Sequence, residues 1–159
     1  MDRFVSNYTL RLDAKGRVSI PAPFRQVLAR DGFAGLYCYP TIDRPALDAG
    51  GNALLHEIER LVTSFSPYSD EREDLSAALY GTSETLNIDG EGRVILSERL
   101  KEHAGITEAA AFVGLGHKFQ IWEPERFRAQ LAEATEKVRA VKRQLGSRGA
   151  AREALGARE

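Results

Sequence analysis

The strongest constraint on how this chain can fold is that it contains one sequence motif twice. Residues 12–21 read LDAKGRVSIP, and residues 88–97 read IDGEGRVILS. Asp, Gly, Arg and Val recur in the same order, each 76 positions after its first occurrence. In both copies an apolar residue precedes the Asp and apolar residues follow the Arg. A chain that repeats a pattern in this way is built from two similar units.

The similarity continues into the segments that follow each motif. Each copy leads into a short helical pattern closed by a glycine, Gly32 or Gly105, which is the expected left-handed cap. A β-rich stretch follows, GLYCYP at residues 35–40 and AAFVGLGHKFQIW at residues 110–122. The segment TIDRPALDAGG after the first stretch is rich in turn formers, so the sequence does not define the last strand of that half.

Each half ends in an amphipathic helix with apolar residues at helical spacing. These residues are Leu54, Ile58, Leu61 and Phe65 in the first half, and Phe127, Leu131, Ala134, Val138, Val141 and Leu145 in the second. The second stripe could join neighbouring subunits or pack against its own chain, and packing against its own chain is the commoner arrangement.

These patterns divide the chain into four segments. We predict a first repeat with its helix at residues 1–66, a linker at 67–85, a second repeat with a longer helix at 86–145, and a tail at 146–159. The linker contains Pro67 and an acidic run, and a short helix is predicted at residues 75–80. The tail is small and polar, so we expect it to be disordered or weakly helical.

Composition indicates a soluble protein with a packed core. Hydrophobic residues make up 43% of the 159 residues and charged residues 28%, which is not typical of a disordered chain. The sequence has no signal-peptide core and no stretch that could span a bilayer. Its single cysteine, Cys38, cannot form an internal disulfide. We therefore expect a cytoplasmic protein with no membrane contact.

The net charge of −1 conceals an uneven distribution. Residues 1–30 carry six Lys/Arg against two Asp/Glu, residues 31–110 six against fifteen, and residues 111–159 ten against six. Binding to nucleic acid depends on local phosphate contacts rather than on total charge, so the basic ends could form an anion-binding face. The same charges also fit an ordinary solvated surface, and charge alone favours that interpretation.

The repeated turn has a structural role and a candidate binding role. An Asp can accept hydrogen bonds from backbone amides in such a turn, and a Gly can adopt positive φ. The residues predicted to shape the two turns are Asp13, Gly16, Asp89 and Gly92. Arg17 can pair with Asp13 or reach outward, and an exposed pair adds too little stability to explain an Arg in both copies. Lys15, at the tip, is well placed for a phosphate contact.

These residues carry a family resemblance. LDAKGRVSIPAPFR resembles the N-terminal signature of the MraZ family, in which a DxxxR motif occurs twice in the chain. It is also similar to the strand–loop–strand–helix opening of AbrB-type transition-state regulators. The resemblance extends to about Leu145 and includes the repeat spacing and the long helix that ends each half. A single DxxxR is weak evidence, but two copies at this spacing, each followed by a strand and a capped helix, are specific.

The resemblance implies an α+β fold in which two tandem AbrB-like swapped-hairpin units form a pseudo-two-fold β-barrel with flanking helices. Pairing has a physical basis, because a unit of this size cannot bury a sufficient core alone. The resemblance also implies a homo-oligomer, ring-shaped in this family, that binds double-stranded DNA. The expected role is a nucleoid-associated transcriptional regulator, acting as a repressor at repeated promoter elements upstream of cell-division and cell-wall genes.

Carried onto this chain, the resemblance makes Arg17 and Lys15 the DNA-contacting candidates of the first motif and Arg93 that of the second. Arg11, two residues before the first motif, is expected to flank the same face. Arg can bond guanine edges or phosphate with two donors, whereas Lys acts as a point charge. Glu91 replaces Lys15 in the second copy, and its carboxylate repels phosphate. We therefore predict that the first half dominates DNA contact and that the second is partly structural.

The remaining patterns do not indicate catalysis or metal binding. The three histidines, which are His56, His103 and His117, are not spaced as metal ligands. The GLG at residues 114–116 is followed by a strand pattern, which predicts a hairpin rather than a dinucleotide loop. No GxSxG elbow occurs in the sequence. We expect no enzymatic activity, no cofactor, no metal and no small-molecule substrate.

Two functions of other classes remain open. The first is a protein-interaction module, antitoxin-like or a scaffold, that keeps the AbrB-like fold with little specific DNA binding, because a fold does not fix a function. The second is an enzyme, against which the lack of clustered acids, bases and nucleophiles counts. Salt-sensitive, sequence-selective binding to DNA would distinguish a regulator from both.

Overall fold

The computed structural model describes residues 3–156 and has a mixed α+β architecture, which confirms the predicted class. In chain order the elements are β1 (Asn7–Arg11), β2 (Arg17–Ser19), α1 (Ala22–Asp31), β3 (Leu36–Pro40), β4 (Ala46–Gly50), α2 (Asn52–Thr63), α3 (Asp70–Leu79), β5 (Glu84–Leu86), β6 (Arg93–Ile95), α4 (Glu98–Ala104), β7 (Ala109–Gly114), β8 (Phe119–Trp122) and α5 (Pro124–Gly156). The chain divides into one unit that ends at Pro124 and another that begins at Glu125.

The main sheet interleaves strands from the two halves of the chain. Its hydrogen-bonded order is β1-β7-β8-β4-β3-β5, and all its pairs are antiparallel. The first half provides β1 to β4 and the second provides β5 to β8. The first strand of each half therefore pairs with the third strand of the other, and the two fourth strands meet at the centre. Among the described strands, no pairing between β1 and β5 closes this order into a barrel.

The second strands of the two halves, β2 and β6, form a separate two-stranded sheet. Val18 lies opposite Val94, which is the same position of the repeated motif. The two strands are therefore related by a local pseudo-two-fold axis that passes between these two side chains. Arg17 and Arg93 lie at opposite ends of this short sheet, opposite Ile95 and Ser19 respectively.

The two halves share one hydrophobic core. Phe24 of α1 packs against Phe119 of β8, with ring centroids 4.9 Å apart, and Phe4 lies within 5.3 Å of both rings. Val18 and Val94 belong to the same buried cluster. A smaller cluster forms between β3, α2 and α3 and contains Tyr37, Tyr39, Leu54, Ile58, Val62 and Leu79. The core thus depends on contacts that cross between the halves.

The helix ends agree with the local signals in the sequence. As predicted, α1 and α4 end at Gly32 and Gly105, which have φ of 81° and 70°. Helix α3 begins at Asp70, earlier than the predicted 75, because the Ser69 side chain accepts a hydrogen bond from the amide of Arg72. Acidic residues in its first turn also favour the helix N-terminus.

Two further elements extend into the segments that the sequence assigns to the linker and the tail. Strand β5 begins at Glu84, within the predicted linker. Helix α5 continues to Gly156, through most of the tail predicted to be disordered or weakly helical, and residues 157–159 of that tail lie outside the described residues. Across residues 3–156, no helix combines the length and the apolar character needed to cross a membrane.

Strand β4 forms in the turn-rich segment that the sequence left undefined. Its Asp48 is only 4% exposed and accepts four hydrogen bonds. The donors are the Tyr39 hydroxyl, the Thr41 hydroxyl and the Gln120 amide, each at 2.8 Å, and the Lys118 ammonium at 2.9 Å. Burial raises the pKa of Asp48, but the hydrogen bond and charge of Lys118, together with the other donors, hold it below its ordinary value. The network joins strands of both halves.

Shortening the central valines should destabilise the fold. Val18→Ala and Val94→Ala each remove two buried carbons from residues that are 1% exposed, so we expect each to lower the free energy of unfolding by about 2 kcal/mol. Ile95 is 58% exposed on the neighbouring position of β6 and provides the control. Urea denaturation measures both effects. An equal loss for Ile95→Ala would contradict the importance of the β2–β6 junction.

Removing the charge of Asp48 should make the free energy of unfolding less dependent on pH between pH 7 and pH 3. Asp48→Asn leaves the Lys118 ammonium without its carboxylate, and we expect a loss of about 3 kcal/mol at neutral pH. Because the folded-state pKa of Asp48 is lowered, its contribution is present above the unfolded value of about 4 and disappears as pH falls through the folded value. Urea denaturation from pH 7 to pH 3 should therefore show a shallower decline for Asp48→Asn than for wild type.

The matched control for that experiment is Asp43→Asn, since the Asp43 side chain is 77% exposed. It should change stability by less than about 0.5 kcal/mol. Parallel pH profiles for wild type and Asp48→Asn would contradict the role assigned to the Asp48 carboxylate.

Candidate functional site

The first repeated turn, between β1 and β2, is fixed by the side chain of Asp13. Its Oδ1 accepts hydrogen bonds from the backbone amides of Lys15 and Arg17, both at 2.9 Å. The amide of Asp13 donates to the carbonyl of Arg17 at 2.9 Å, and that of Gly16 donates to the carbonyl of Asp13 at 3.0 Å. Gly16 has φ of 80°, a conformation that favours glycine. The turn holds Lys15 at its tip and Arg17 at its base.

The second turn, between β5 and β6, repeats this geometry. Asp89 Oδ1 accepts from the amides of Glu91 and Arg93, both at 2.9 Å, and Gly92 also has φ of 80°. The residues predicted to shape the turns therefore occupy equivalent positions with equivalent bonds. The difference lies at the tip, where the second turn presents the Glu91 carboxylate.

The two arginines are held differently. Arg17 Nε donates to Asp13 Oδ2 at 2.7 Å, and its terminal nitrogens have no partner among residues 3–156. Arg93 Nε donates to Asp89 Oδ2 at 2.9 Å, but its Nη1 also lies 3.5 Å from Glu91 Oε2. A guanidinium held only through Nε presents both terminal nitrogens as a fork for a planar or anionic acceptor. Arg17 offers the whole fork, whereas Glu91 competes for that of Arg93.

The hydrogen bonds of the turns keep both aspartates ionised. The backbone amide of Arg17 is the main cause that lowers the pKa of Asp13, and the Arg17 side chain and the Lys15 amide lower it further. Asp89 has its pKa lowered in the same way by Arg93 and by the Glu91 amide. The Asp89 carboxylate in turn raises the pKa of Arg93.

The other two predicted contact residues differ in their placement. Lys15 is exposed, and its ammonium has no ion-pair partner in the described part of the chain. Arg11 is exposed at the end of β1, where it lies opposite Ala109. Its side chain makes no polar contact with the turn within the described residues. The structure therefore brings Asp13, Lys15 and Arg17 together and leaves Arg11 beside them.

Two basic residues at the turns were not among the predicted site residues. A methyl group built on Gly92 would lie 2.5 Å from Cδ and Nη1 of Arg25, which belongs to α1 of the other half. A methyl group built on Gly16 would lie 3.8 Å from Nζ of Lys101 in α4. Arg25 and Lys101 are 76 positions apart, so the repeat offset aligns them. Following that offset beyond the motif would have singled them out.

Outside the two turns, the histidines, the cysteine and the carboxylates do not form a metal-binding cluster in the part of the chain that the structure describes. No set of three His, Cys, Asp or Glu could hold a metal ion within residues 3–156. Cys38 is buried, and burial raises its pKa. His103 Nε2 lies 3.1 Å from the carbonyls of Thr41 and Arg44, so it contacts the loop between β3 and β4.

The origin of the lowered pKa of Asp13 can be tested by titration. In wild type, we expect the carboxyl signal of Asp13 to titrate below the ordinary value of about 3.9. Arg17→Ala removes the guanidinium but keeps the backbone amide, which is the largest cause. The pKa of Asp13 should therefore rise only part of the way to its ordinary value, and that of Asp89 should not change. Carbon-detected NMR measures both, and a full return of Asp13 would contradict this account.

Comparison with known proteins identifies several similar chains. A family model described as "MraZ protein, putative antitoxin-like" matches residues 79–147. The chain is 69% identical to the transcriptional regulator MraZ of Xanthobacter autotrophicus over 93% of this chain and 94% of that one. It is 67% identical to the protein of that name in Azorhizobium caulinodans, over 92% and 94% of the two chains. The identity to that of Beijerinckia indica is 59% over the whole of both chains.

Proposed function

The chain belongs to the MraZ family, and from that premise we propose that it is a sequence-specific DNA-binding transcriptional regulator. Relatives that cover nearly its whole length are named as transcriptional regulators. The observation that carries the proposal is the state of Arg17, which is held by Nε alone at the base of an exposed turn. The terminal nitrogens of such an arginine can bond the O6 and N7 edge of guanine or a phosphate group.

The first turn is the main DNA contact in this proposal. Asp13 fixes Arg17 before DNA arrives, which reduces the entropy lost on binding. Lys15 adds an exposed positive charge two residues away, suited to a phosphate. The second turn contributes less base contact, because Glu91 carries negative charge at its tip and lies beside Arg93 Nη1. Arg11 flanks the first turn and adds long-range attraction.

The architecture of the proposal is a pair of tandem swapped-hairpin units related by a pseudo-two-fold axis. The symmetric strand order and the pairing of Val18 with Val94 support it. In this proposal the repeats span residues 1–66 and 86–145, separated by the linker at 67–85 and followed by the tail at 146–159. The first strands, β1 and β5, are the segments exchanged between them.

The proposed regulator acts as a homo-oligomer, in the form of a ring, on repeated promoter elements. Each turn binds DNA weakly. When one turn of the assembly is bound, the other turns are held at a high effective concentration near the neighbouring DNA elements. Occupying a promoter in this way blocks polymerase, so we assign repression, and the genes implied by the family resemblance are those of cell division and cell-wall synthesis. The proposed location is the cytoplasm, in association with the nucleoid.

A protein-interaction module is the second candidate, since the description of the matching family model includes the term antitoxin-like. Such a module would bind a protein partner through the same fold, with little preference among DNA sequences. The two candidates differ in salt dependence and in sequence preference, both of which are measurable on one sample.

Fluorescence anisotropy with duplex DNA from upstream of the gene for this chain tests the proposal. We expect a preference over scrambled DNA, a steep salt dependence, and at least about tenfold weaker binding for Arg17→Ala. Arg93→Ala should lose less affinity, because Glu91 already competes for its guanidinium. Arg60→Ala, a helix-surface change on α2, is the control and should bind like wild type.

Two outcomes would contradict parts of this proposal. Equal weak binding to both duplexes, unchanged by Arg17→Ala, would favour the interaction module. Equal losses for Arg17→Ala and Arg93→Ala would refute the asymmetry between the turns while leaving the regulator intact.

A further inference from the structure

Arg25 of α1 is held against the second turn by contacts that cross between the two halves. Its Nε donates to the carbonyl of Ile20 at 3.1 Å, and the amide of Ile20 donates to the carbonyl of Gly92 at 2.9 Å. Its Cδ and Nη1 lie 2.5 Å from where a Cβ on Gly92 would be, so the absence of a side chain at Gly92 is what lets Arg25 lie there. The first half thus places a guanidinium on the turn of the second half.

The charge of Arg25 is not neutralised locally. Its side chain is exposed, and no carboxylate lies within ion-pair distance of it in the described chain. Its repeat equivalent, Lys101, differs in this respect, because Lys101 Nζ lies 2.9 Å from Glu98 Oε1 and its side chain is only 20% exposed. Of the two equivalent cations, Arg25 is therefore the one available to an external anion.

Arg25 brings a cation to the turn whose tip carries none. The first turn carries its own second cation, Lys15, whereas the second turn carries Glu91 there. With Nε committed to a carbonyl, the two terminal nitrogens of Arg25 remain for an acceptor, the arrangement also found for Arg17. The surface next to them is a shallow open groove lined by Arg25, Ile88, Asp89, Gly90 and Gly92, among others, in which Gly90 is exposed and Gly92 is buried beneath Arg25.

We propose that Arg25 contacts nucleic-acid phosphate for the second turn, so that the anion-binding face of this turn is built from both halves of the chain. The inference rests on the proposed DNA-binding function and adds a contact residue to it. Arg93, whose fork is shared with Glu91, has the smaller part in base contact, and Arg25 supplies the positive charge. A phosphate contact strengthens binding to every sequence equally, because phosphates carry no base identity.

The test compares Arg25→Ala, Arg25→Lys and the matched control Arg60→Ala in the full chain. Binding to the upstream and the scrambled duplex is measured by fluorescence anisotropy across a salt series. We expect Arg25→Ala to weaken binding to both duplexes by the same factor and to reduce the slope of log Kobs against log salt by about one for each phosphate that is no longer neutralised. Arg25→Lys should restore the slope, and Arg60→Ala should keep it. Arg17→Ala, by contrast, should reduce the ratio of the affinity for the upstream duplex to the affinity for the scrambled duplex.

A purely structural role for Arg25 gives a different pattern. Arg25→Ala would then lower the melting temperature and leave the salt slope equal to that of Arg60→Ala, and this result would overturn the proposal. The proposal is also overturned if Arg25→Ala changes the ratio of the affinities for the two duplexes without changing the salt slope, because Arg25 would then contact bases rather than phosphate.

Heparin-agarose chromatography separates failure of this proposal from failure of the proposed function. If the wild type shows no preference for its upstream duplex, yet Arg25→Ala elutes from heparin at lower salt than Arg60→Ala, the regulator role fails and the anion contact stands. If the wild type prefers its duplex while Arg25→Ala matches Arg60→Ala in slope and in elution, the regulator role stands and the contact assigned to Arg25 is wrong.

Discussion

The pairing of the first strand of each half with the third strand of the other half is the constraint on which the other features of the first unit depend. Strand β1 pairs with β7, and β5 pairs with β3, so neither half could complete its part of the sheet from its own strands. The junction of β2 with β6 then brings Val18 against Val94 inside a common core. A half of this size buries too little surface to be stable alone, and sharing strands and core removes that limit. Two copies of a marginal unit become one stable unit.

The sequence predicted the features that depend on neighbouring residues. The caps at Gly32 and Gly105 follow from local chain geometry, and the repeated Asp and Arg positions follow from a spacing that can be counted. The pairing of strands is a different kind of information, because Tyr8 meets Phe112, which lies in the other half of the chain. Alternation along a strand indicates that a partner exists but does not identify it. The resemblance to swapped-hairpin proteins, rather than any pattern in the residues, raised the possibility of exchange.

Strand β4 shows why a local pattern can mislead. The segment around it is rich in turn-forming residues, and a buried Asp is unusual in a central strand. In the structure, Asp48 accepts hydrogen bonds from the Tyr39 hydroxyl on β3, from the Lys118 ammonium just before β8 and from other donors, so its charge is compatible with burial in this strand. None of these donors lies close enough in sequence to be recognised as a partner. The contact of Arg25 with Gly92 also joins distant parts of the chain, so no local pattern placed Arg25 at the second turn, although the repeat offset aligns it with Lys101.

Joining the two copies in one chain allows the turns to differ, which a dimer of identical chains does not. In such a dimer, a change from Lys to Glu at the tip would appear in both turns and would remove positive charge from both. Here Lys15 remains in the first turn while Glu91 occupies the second. The helices differ as well, because Lys101 is paired with Glu98 whereas Arg25 has no such partner within the described residues. Each turn lies beside a basic residue from a helix of the other half, Lys101 at the first turn and Arg25 at the second, so positive charge can reach a turn from the opposite half of the same chain. Positive charge at both turns is therefore a property of the two paired halves and not of either half alone.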